Sequence, residues 1–266
     1  MKAKYLYYPG CTLKSKAKEL DIYALKSLVA LDVEAEEVED WQCCGAVYPQ
    51  ATDEIAARLS AVRVLEHAKN AGGKLLTLCS ACHHVLKRVN NDMRHNADIR
   101  LKVNNYCEFE KPYAGETEVV HFFELLRDEI TFVKLREKVV KPLTNKKISA
   151  YYGCLLLRPS ESMQFDDPEN PVIIENFLAA IGALSVSYTY RNECCGSYTA
   201  LDNLDNMELT QKLCGNIMNS CKQKGIEALV TACPLCRYNL TKSAPDGGLP
   251  IYYFTQLLAE ALGVME

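Results

Sequence analysis

Adjacent thiols raise the question of what they bind, and this chain writes them twice, as Cys43-Cys44-Gly45 and Cys194-Cys195-Gly196. Each pair belongs to a longer series. The first runs Cys11, 31 residues, Cys43-Cys44, 34 residues, Cys79-Ser-Ala-Cys82; the second runs Cys154, 39 residues, Cys194-Cys195, 37 residues, Cys233-Pro-Leu-Cys236. Thiolates gathered in this way hold soft metals or carry redox chemistry. The chain has 13 cysteines in 266 residues and opens with no long apolar segment followed by a small-residue cleavage site. Metal or redox work is therefore expected, not the disulfide framework of a secreted domain.

Five sulfurs per series limit the chemistry. A structural zinc takes four ligands in a closed tetrahedral shell, and a cubane iron-sulfur cluster takes four thiolates. A fifth cysteine is then a bridge in an unusual cluster, a free thiol beside a cubane, or half of a vicinal disulfide. A zinc site with one spare cysteine is the plainer alternative. Zinc-binding Cys-x-x-Cys units, however, pair with a second set about 15 to 20 residues away. The gaps here are longer, and all-sulfur sets of this size suit iron-sulfur clusters.

The elements that must position these sulfurs are legible, and they repeat. KYLYYPGC matches ISAYYGC, GKLLTLCSAC matches EALVTACPLC, and VVHFFELLRDE matches IYYFTQLLAEA, so one half is a copy of the other. The division expected is 1–145 for the first half and 146–266 for the second. AKYLYYPG, KLLTLCS, KISAYYG, ALSVSYTY and EALVTAC read as strands. KELDIYALKSLVALD, DEIAARLSAVRVLEHAKNAGG, NPVIIENFLAAIGA and NMELTQKLCGNIMNSCKQKG carry helical spacing, the last three running to glycine. The fold class expected is α/β: two repeated parallel halves, related by a pseudo-twofold, with clusters at the carboxyl ends of the strands. Cys11, Cys79, Cys154 and Cys233 each fall where a predicted strand runs out. Gly10, Gly153, Gly45 and Gly196 suit a close backbone approach to a bulky inorganic group.

A net charge of −4 with Lys and Arg scattered removes the basic footprint of nucleic-acid binding. No apolar run reaches the roughly 20 residues that span a bilayer, so the chain reads as cytoplasmic, touching membranes only through partners. It has no G-x-G-x-x-G after a strand and so no nucleotide-binding fingerprint of its own.

The doubled order of a single Cys, a distant Cys-Cys-Gly and a further Cys-x-x-Cys resembles the cysteine-rich domain pair of the B subunit of heterodisulfide reductases, from Cys11 to Cys236. That resemblance implies two noncubane [4Fe-4S] clusters, with one thiolate bridging in each. Carried over, Cys11, Cys43, Cys44, Cys79 and Cys82 ligate the first, and Cys154, Cys194, Cys195, Cys233 and Cys236 the second. It also implies reduction of a small disulfide to two thiols between the clusters, with electrons from a C-type subunit carrying ordinary [4Fe-4S] clusters, fed by a flavin-containing A-type subunit. Relatives with one degraded set occur in lactate, glycolate and succinate oxidoreductase assemblies, where an electron-relay role is the alternative.

Other residues receive secondary readings. His121 is a candidate proton donor to product thiolate or else a core histidine, and His83 and His84 approach the first cluster or form a solvated helix start. Cys107, Cys214 and Cys221 read as buried thiols. The tyrosine-rich segments are expected to pack around the clusters and limit water. The active cavity is expected between the clusters, lined by the turns Pro9 to Thr12, Gly45 to Tyr48, Gly153 to Leu155 and Gly196 to Tyr198, with Lys14, Lys16, Arg158 and Arg191 as nearby cations. The two clusters are expected to differ in solvent access, because 36 residues separate Cys82 from Val119 and only 14 separate Cys236 from Ile251. Anaerobically purified protein is expected to hold about eight irons per chain with matching acid-labile sulfide; two zincs and no iron would exclude the clusters.

Overall fold

Parallel strands cannot be joined by a tight turn, so each must be followed by a crossover long enough to return over the sheet. The chain obeys this throughout. Its computed structural model describes residues 4–46, 53–199, 207–243 and 248–265. The first sheet contains β1 (Lys4–Tyr8), β2 (Glu34–Glu37), β3 (Lys74–Thr77) and β4 (Glu118–His121), in the order β2-β1-β3-β4, all parallel. The second contains β5 (Ile148–Ala150), β6 (Ala228–Thr231) and β7 (Ile251–Tyr253), in the order β5-β6-β7, again parallel. The central order β1-β3-β4 is thus repeated as β5-β6-β7.

Twelve α-helices among the described residues connect and cover the sheets: α1 (Cys11–Lys14), α2 (Lys18–Ala30), α3 (Ala56–Asn70), α4 (Ser80–His95), α5 (Ala97–Cys107), α6 (Phe122–Leu125), α7 (Phe132–Lys138), α8 (Ser160–Met163), α9 (Ile173–Ala180), α10 (Met207–Gln223), α11 (Pro234–Ser243) and α12 (Phe254–Leu262). A π-helical turn over Leu126–Ile130 extends α6. None is long and apolar enough to cross a membrane.

Strands covered on both faces read as continuous apolar runs, and β1, β3 and β6 do so. The strand β2 does not. Its sequence EAEE is mostly exposed at the sheet edge, where charge discourages further pairing. Its lack of apolar pattern explains why sequence reading passed over it. ALSVSYTY, read as a strand, makes only the isolated bridge Lys147 to Leu184. Beyond that bridge Ser149 replaces the ladder, its hydroxyl donating to Val186 O at 2.6 Å and accepting from Val186 N at 3.3 Å.

The halves share one seam. The rings of Phe122, Phe123 and His121 pack with Phe254 and Phe177 from the second half, with Phe123 and Phe254 centroids 4.6 Å apart and Phe123 and Phe177 5.2 Å apart. Polar bonds stitch its margins: Thr255 Oγ1 donates to Leu20 O at 2.9 Å, and Val140 N and Lys141 N both donate to Ala261 O. Phe254 is fully buried at the centre of this cluster. Phe254→Ala is expected to lower the unfolding free energy by about 3–5 kcal/mol, read from denaturant unfolding; a loss within experimental error would show that the ring cluster does not hold the halves together.

Candidate metal centre

The carboxyl ends of the strands deliver the cysteines. Cys11 follows β1, Cys79 follows β3, Cys154 follows β5 and Cys233 follows β6. Cys79 is the cap residue of α4, and Cys233 directly precedes α11, so each Cys-x-x-Cys places its second thiol one turn into a helix on the same side as the first. Helix starts favour thiolate, and Cys236 N donates to Cys233 Sγ at 3.4 Å.

All ten sulfurs gather in two sets. In the first, Cys43 Sγ lies 3.7 Å from Cys11 Sγ and Cys44 Sγ lies 3.6 Å from Cys82 Sγ, while Cys43 contacts Cys44 and Cys79 contacts Cys82. In the second, Cys195 Sγ lies 3.4 Å from Cys236 Sγ, with Cys154 against Cys194, Cys194 against Cys195 and Cys233 against Cys236. The chain of contacts has the same order in both. Crowding divides the thiols: hydrogen bonds from Cys43 and Cys82 pull Cys44 down to about 5, and those from Cys154 and Cys195 pull Cys194 down to about 3. Cys82 and Cys236 are pushed well up by hydrogen bonding to Cys44 and Cys195 respectively and by burial.

Copied details support each set. The Tyr8 hydroxyl donates to Gln42 O at 2.7 Å and the Tyr151 hydroxyl to Glu193 O at 2.8 Å, in each case to the carbonyl just before the cysteine pair. These are among the expected packing tyrosines, and their hydroxyls fix the loop that carries the adjacent thiols. Gly10 and Gly153, both at positive φ, run so close that an added Cβ would stand 2.8 Å from Cys82 Sγ and 3.3 Å from Cys236 Sγ. An all-sulfur donor set, helix-start polarisation and a backbone cradle with no room for a side chain fit an iron-sulfur group in each set. Among the described residues no three His, Cys, Asp or Glu side chains are arranged around a single metal ion.

The two sets differ in what they face. A cleft of about 540 Å³ opens on the first, walled by Cys11, Cys43, Cys44, Cys79 and Cys82 on one side and by Tyr198, Leu235, Arg237, Tyr238 and Lys242 of the second half on the other. Around the second set the space is about 10 Å³, lined by Ser80, Tyr152 and Leu235. The two sets thus face cavities of very different size, although each keeps two partly exposed thiols, Cys11 and Cys43 in the first and Cys154 and Cys194 in the second. Cys11, Thr12, Ala46 and Tyr198 represent the expected turns in the cleft, Cys154, Leu155 and Ser197 line the smaller space instead, and Val47 and Tyr48 lie outside the described residues.

Three of the four expected cations are committed elsewhere. Lys14 bridges Asp21 at 2.9 Å and Glu37 at 2.6 Å, Arg158 holds Asn192 O at 3.0 Å and Glu169 at 3.1 Å, and Arg191 is buried against Glu175. Only Lys16 lines the cleft, joined by Arg237 and Lys242, which sequence reading passed over because they belong to the other half. Asn239 was also missed. It is buried and donates to Cys195 Sγ at 3.5 Å and Ser197 O at 2.9 Å; one turn beyond Cys236, its position on the ligand face of α11 was the available signal. The corresponding residue of the first half is Val85, so this bond to sulfur exists in one set alone.

The histidines serve the scaffold. His121 is fully buried as the cap of α6: its Nδ1 accepts from Phe123 N at 3.2 Å, so its Nε2 donates to Leu78 O at 3.1 Å. Burial lowers it to about 3, which keeps it neutral, and with both nitrogens engaged it takes the core role and not that of a proton donor. Because its folded value lies below its unfolded one, the stability it contributes is present above pH of about 6.5 and is lost as pH falls toward 3. His83 and His84 do not form a solvated helix start. His83 is buried with Nδ1 at 2.9 Å from Thr77 Oγ1, and His84 Nδ1 reaches Leu155 O of the second half at 2.9 Å. Cys214 and Cys221 are fully buried as expected, whereas Cys107 is only partly so.

The chain belongs to the cysteine-rich CCG domain family, whose model matches residues 5–87 and 148–241. It is 29% identical over 277 aligned residues to the 8-methylmenaquinol:fumarate reductase membrane anchor subunit of Wolinella succinogenes, covering 99% of this chain and 94% of that protein. It is 27% identical to the B subunit of the ferredoxin:CoB-CoM heterodisulfide reductase of Methanosarcina mazei, covering 98% and 89%. It is 26% identical to a protein of Archaeoglobus profundus named for its likeness to the B subunit of heterodisulfide reductase, covering 98% and 91%. A hypothetical protein from Helicobacter pylori shares the fold at a TM-score of 0.72 and 12% identity, over 98% of this chain and 49% of that one.

The cradle glycines give a graded test. Gly10, at φ 74° and ψ 161°, and Gly153, at φ 65°, both resist a side chain by about 1–3 kcal/mol, and the closer sulfur adds to the cost at Gly10. Gly10→Ala is expected to leave roughly half the wild-type iron, held by the second set, while Gly153→Ala keeps most of both; equal iron contents would remove the cradle argument.

Proposed function

We propose that the chain is an iron-sulfur redox subunit that reduces a disulfide to two thiols in the cleft beside its first cysteine set, as part of a multisubunit oxidoreductase. The observation that carries this reading is the cleft itself: it opens directly on five gathered thiols and is walled by both halves. The balance is R–S–S–R′ + 2 e⁻ + 2 H⁺ giving R–SH and R′–SH. Iron-sulfur groups held by these thiolates supply electrons singly, and two are needed for each bond cleaved.

This chain's own residues bind and orient. Lys16 and Lys242 give the cleft cationic groups for an anionic substrate end, while Arg237, which also lines it, is held by Glu19 at 3.7 Å and Ile251 O at 3.3 Å. Leu20, Ala81 and Leu235 provide apolar wall against which water is excluded. The Tyr198 hydroxyl is buried without a hydrogen-bond partner among the described residues and is free to donate to a substrate sulfur.

In the finer form of this reading each set holds a noncubane [4Fe-4S] cluster through all five sulfurs, and the halves 1–145 and 146–266 are domains facing each other about a pseudo-twofold. Electrons come from a C-type subunit with ordinary [4Fe-4S] clusters, fed by a flavin-containing A-type subunit, in the cytoplasm. The heterodisulfide reductase names of two relatives support this. The fumarate reductase name of another supports a second reading, an electron relay that meets no disulfide.

One experiment separates the two. Anaerobic protein is assayed with reduced viologen dye against a panel of small disulfides, with Cys43→Ser and Cys44→Ser in parallel. The disulfide reading expects dye oxidation by at least one disulfide and disruption of the first set by both substitutions; a fully loaded, spectrally normal single mutant and a silent panel would establish the relay.

A further inference from the structure

The two cysteine sets belong to different halves, yet the peptides beside them touch. Ser80 N, in the peptide that follows Cys79, donates to Ala232 O, in the peptide that precedes Cys233, at 3.0 Å. Cys79, Ser80, Ala232 and Cys233 are all buried, so water does not compete for this bond. A route of covalent bonds and one hydrogen bond of ordinary length therefore runs from the Cys79 sulfur to the Cys233 sulfur. Two further crossings near the sulfurs, His84 Nδ1 to Leu155 O and the Tyr253 hydroxyl to Leu78 O, pass through side chains, so the bonded routes they offer between sulfurs have more steps.

The bond has no mirror image. The residue that corresponds to Ser80 in the second half is Pro234, which has no N–H to give. The carbonyl corresponding to that of Ala232 is that of Leu78, which instead accepts from the Tyr253 hydroxyl at 2.7 Å and His121 Nε2 at 3.1 Å. A duplicated chain has thus kept one of two possible links and sealed the other with side chains.

We propose that the hydrogen bond from Ser80 N–H to Ala232 C=O is the route by which an electron passes between the groups held by the two cysteine sets. The step is a single-electron exchange: the group on one set is oxidised, the group on the other is reduced, and no proton or leaving group crosses. The electrons originate in an external one-electron donor. Electronic coupling decays more slowly along bonds than across unbonded contacts, so removing this donor weakens the coupling even where the distance is unchanged. Such a link lets the second set and the cleft-facing first set pool two single electrons. The inference rests on the iron-sulfur part of the proposed function and not on the disulfide.

The second half supplies the variant. Ser80 is the first residue of α4, the position where proline is best tolerated, and Cys79 already has the extended backbone that a following proline requires, with φ −90° and ψ 123°. Ser80→Pro deletes the N–H and spares every ligand, and Ser80→Ala keeps it. An α-hydroxy acid at position 80, which turns the Cys79–Ser80 amide into an ester, removes the same donor with no added atoms. Full-length, anaerobically loaded protein is given less than one electron per chain by a flash-activated donor, without disulfide, and freeze-quench EPR follows the electron from one set to the other. Ser80→Ala should match the wild type, while Ser80→Pro and the ester should slow the redistribution several-fold at unchanged iron content and unchanged resting spectra. A loaded Ser80→Pro or ester variant that redistributes at the wild-type rate, or a wild type in which the electron never redistributes, overturns the proposal. A silent disulfide panel leaves this outcome untouched and bears only on the substrate.

Discussion

The parallel pairing of β1 with β3, and of β5 with β6, is the constraint on which the rest of the molecule depends. Ladder registers of Leu6 to Leu75 and Tyr8 to Thr77 align the ends of two strands separated by more than sixty residues of chain. Cys11 and Cys79 therefore leave the sheet side by side. The second sheet does the same for Cys154 and Cys233 through Ile148 to Ala228 and Ala150 to Val230. A parallel sheet is suited to this because all its carboxyl ends lie on one edge, where helix starts also gather. The cysteine pairs between arrive on loops, and the tyrosine bonds at Gln42 O and Glu193 O fix those loops against the first strand of each sheet.

The seam between the halves carries both stability and chemistry. Its aromatic cluster excludes water from the ground on which the sulfurs stand, and burial holds His121 and His83 neutral there. Desolvation strengthens the remaining polar contacts, which is why a single peptide hydrogen bond at this seam, or one amide from Asn239 to a sulfur, has consequences that it would not have in water.

Duplication supplied two equal sets, and departures from it made them unequal. Pro234 stands where Ser80 stands, Asn239 where Val85 stands, and a cleft of about 540 Å³ opens beside one set while the other faces a space of about 10 Å³. These are changes of single residues and loops on a preserved frame, so the ligands are retained while their surroundings are tuned separately.

Cysteine order, the internal repeat and the apolar runs by themselves determined the ligand candidates, the parallel α/β class and the strand ends that carry the thiols, because soft-metal ligation and period-two burial are properties of residue type and local spacing. The edge strand EAEE escaped, since an exposed edge has no need of apolar residues, and ALSVSYTY was overread, since at Val186 its backbone bonds to the Ser149 hydroxyl and not to a ladder. Cations were misassigned for a related reason. Arg191 and Lys14 lie near the cysteines in sequence but are neutralised by Glu175, Asp21 and Glu37, whereas Lys242, and Arg237 paired with Glu19, reach the cleft from the opposite half. Which set faces the cleft and which carbonyl takes the Ser80 N–H were decided only by tertiary structure, because each depends on the packing of one half on the other, and what occupies His121 was decided by the pairing of β3 with β4, which brings Leu78 O to its ring from more than forty positions away.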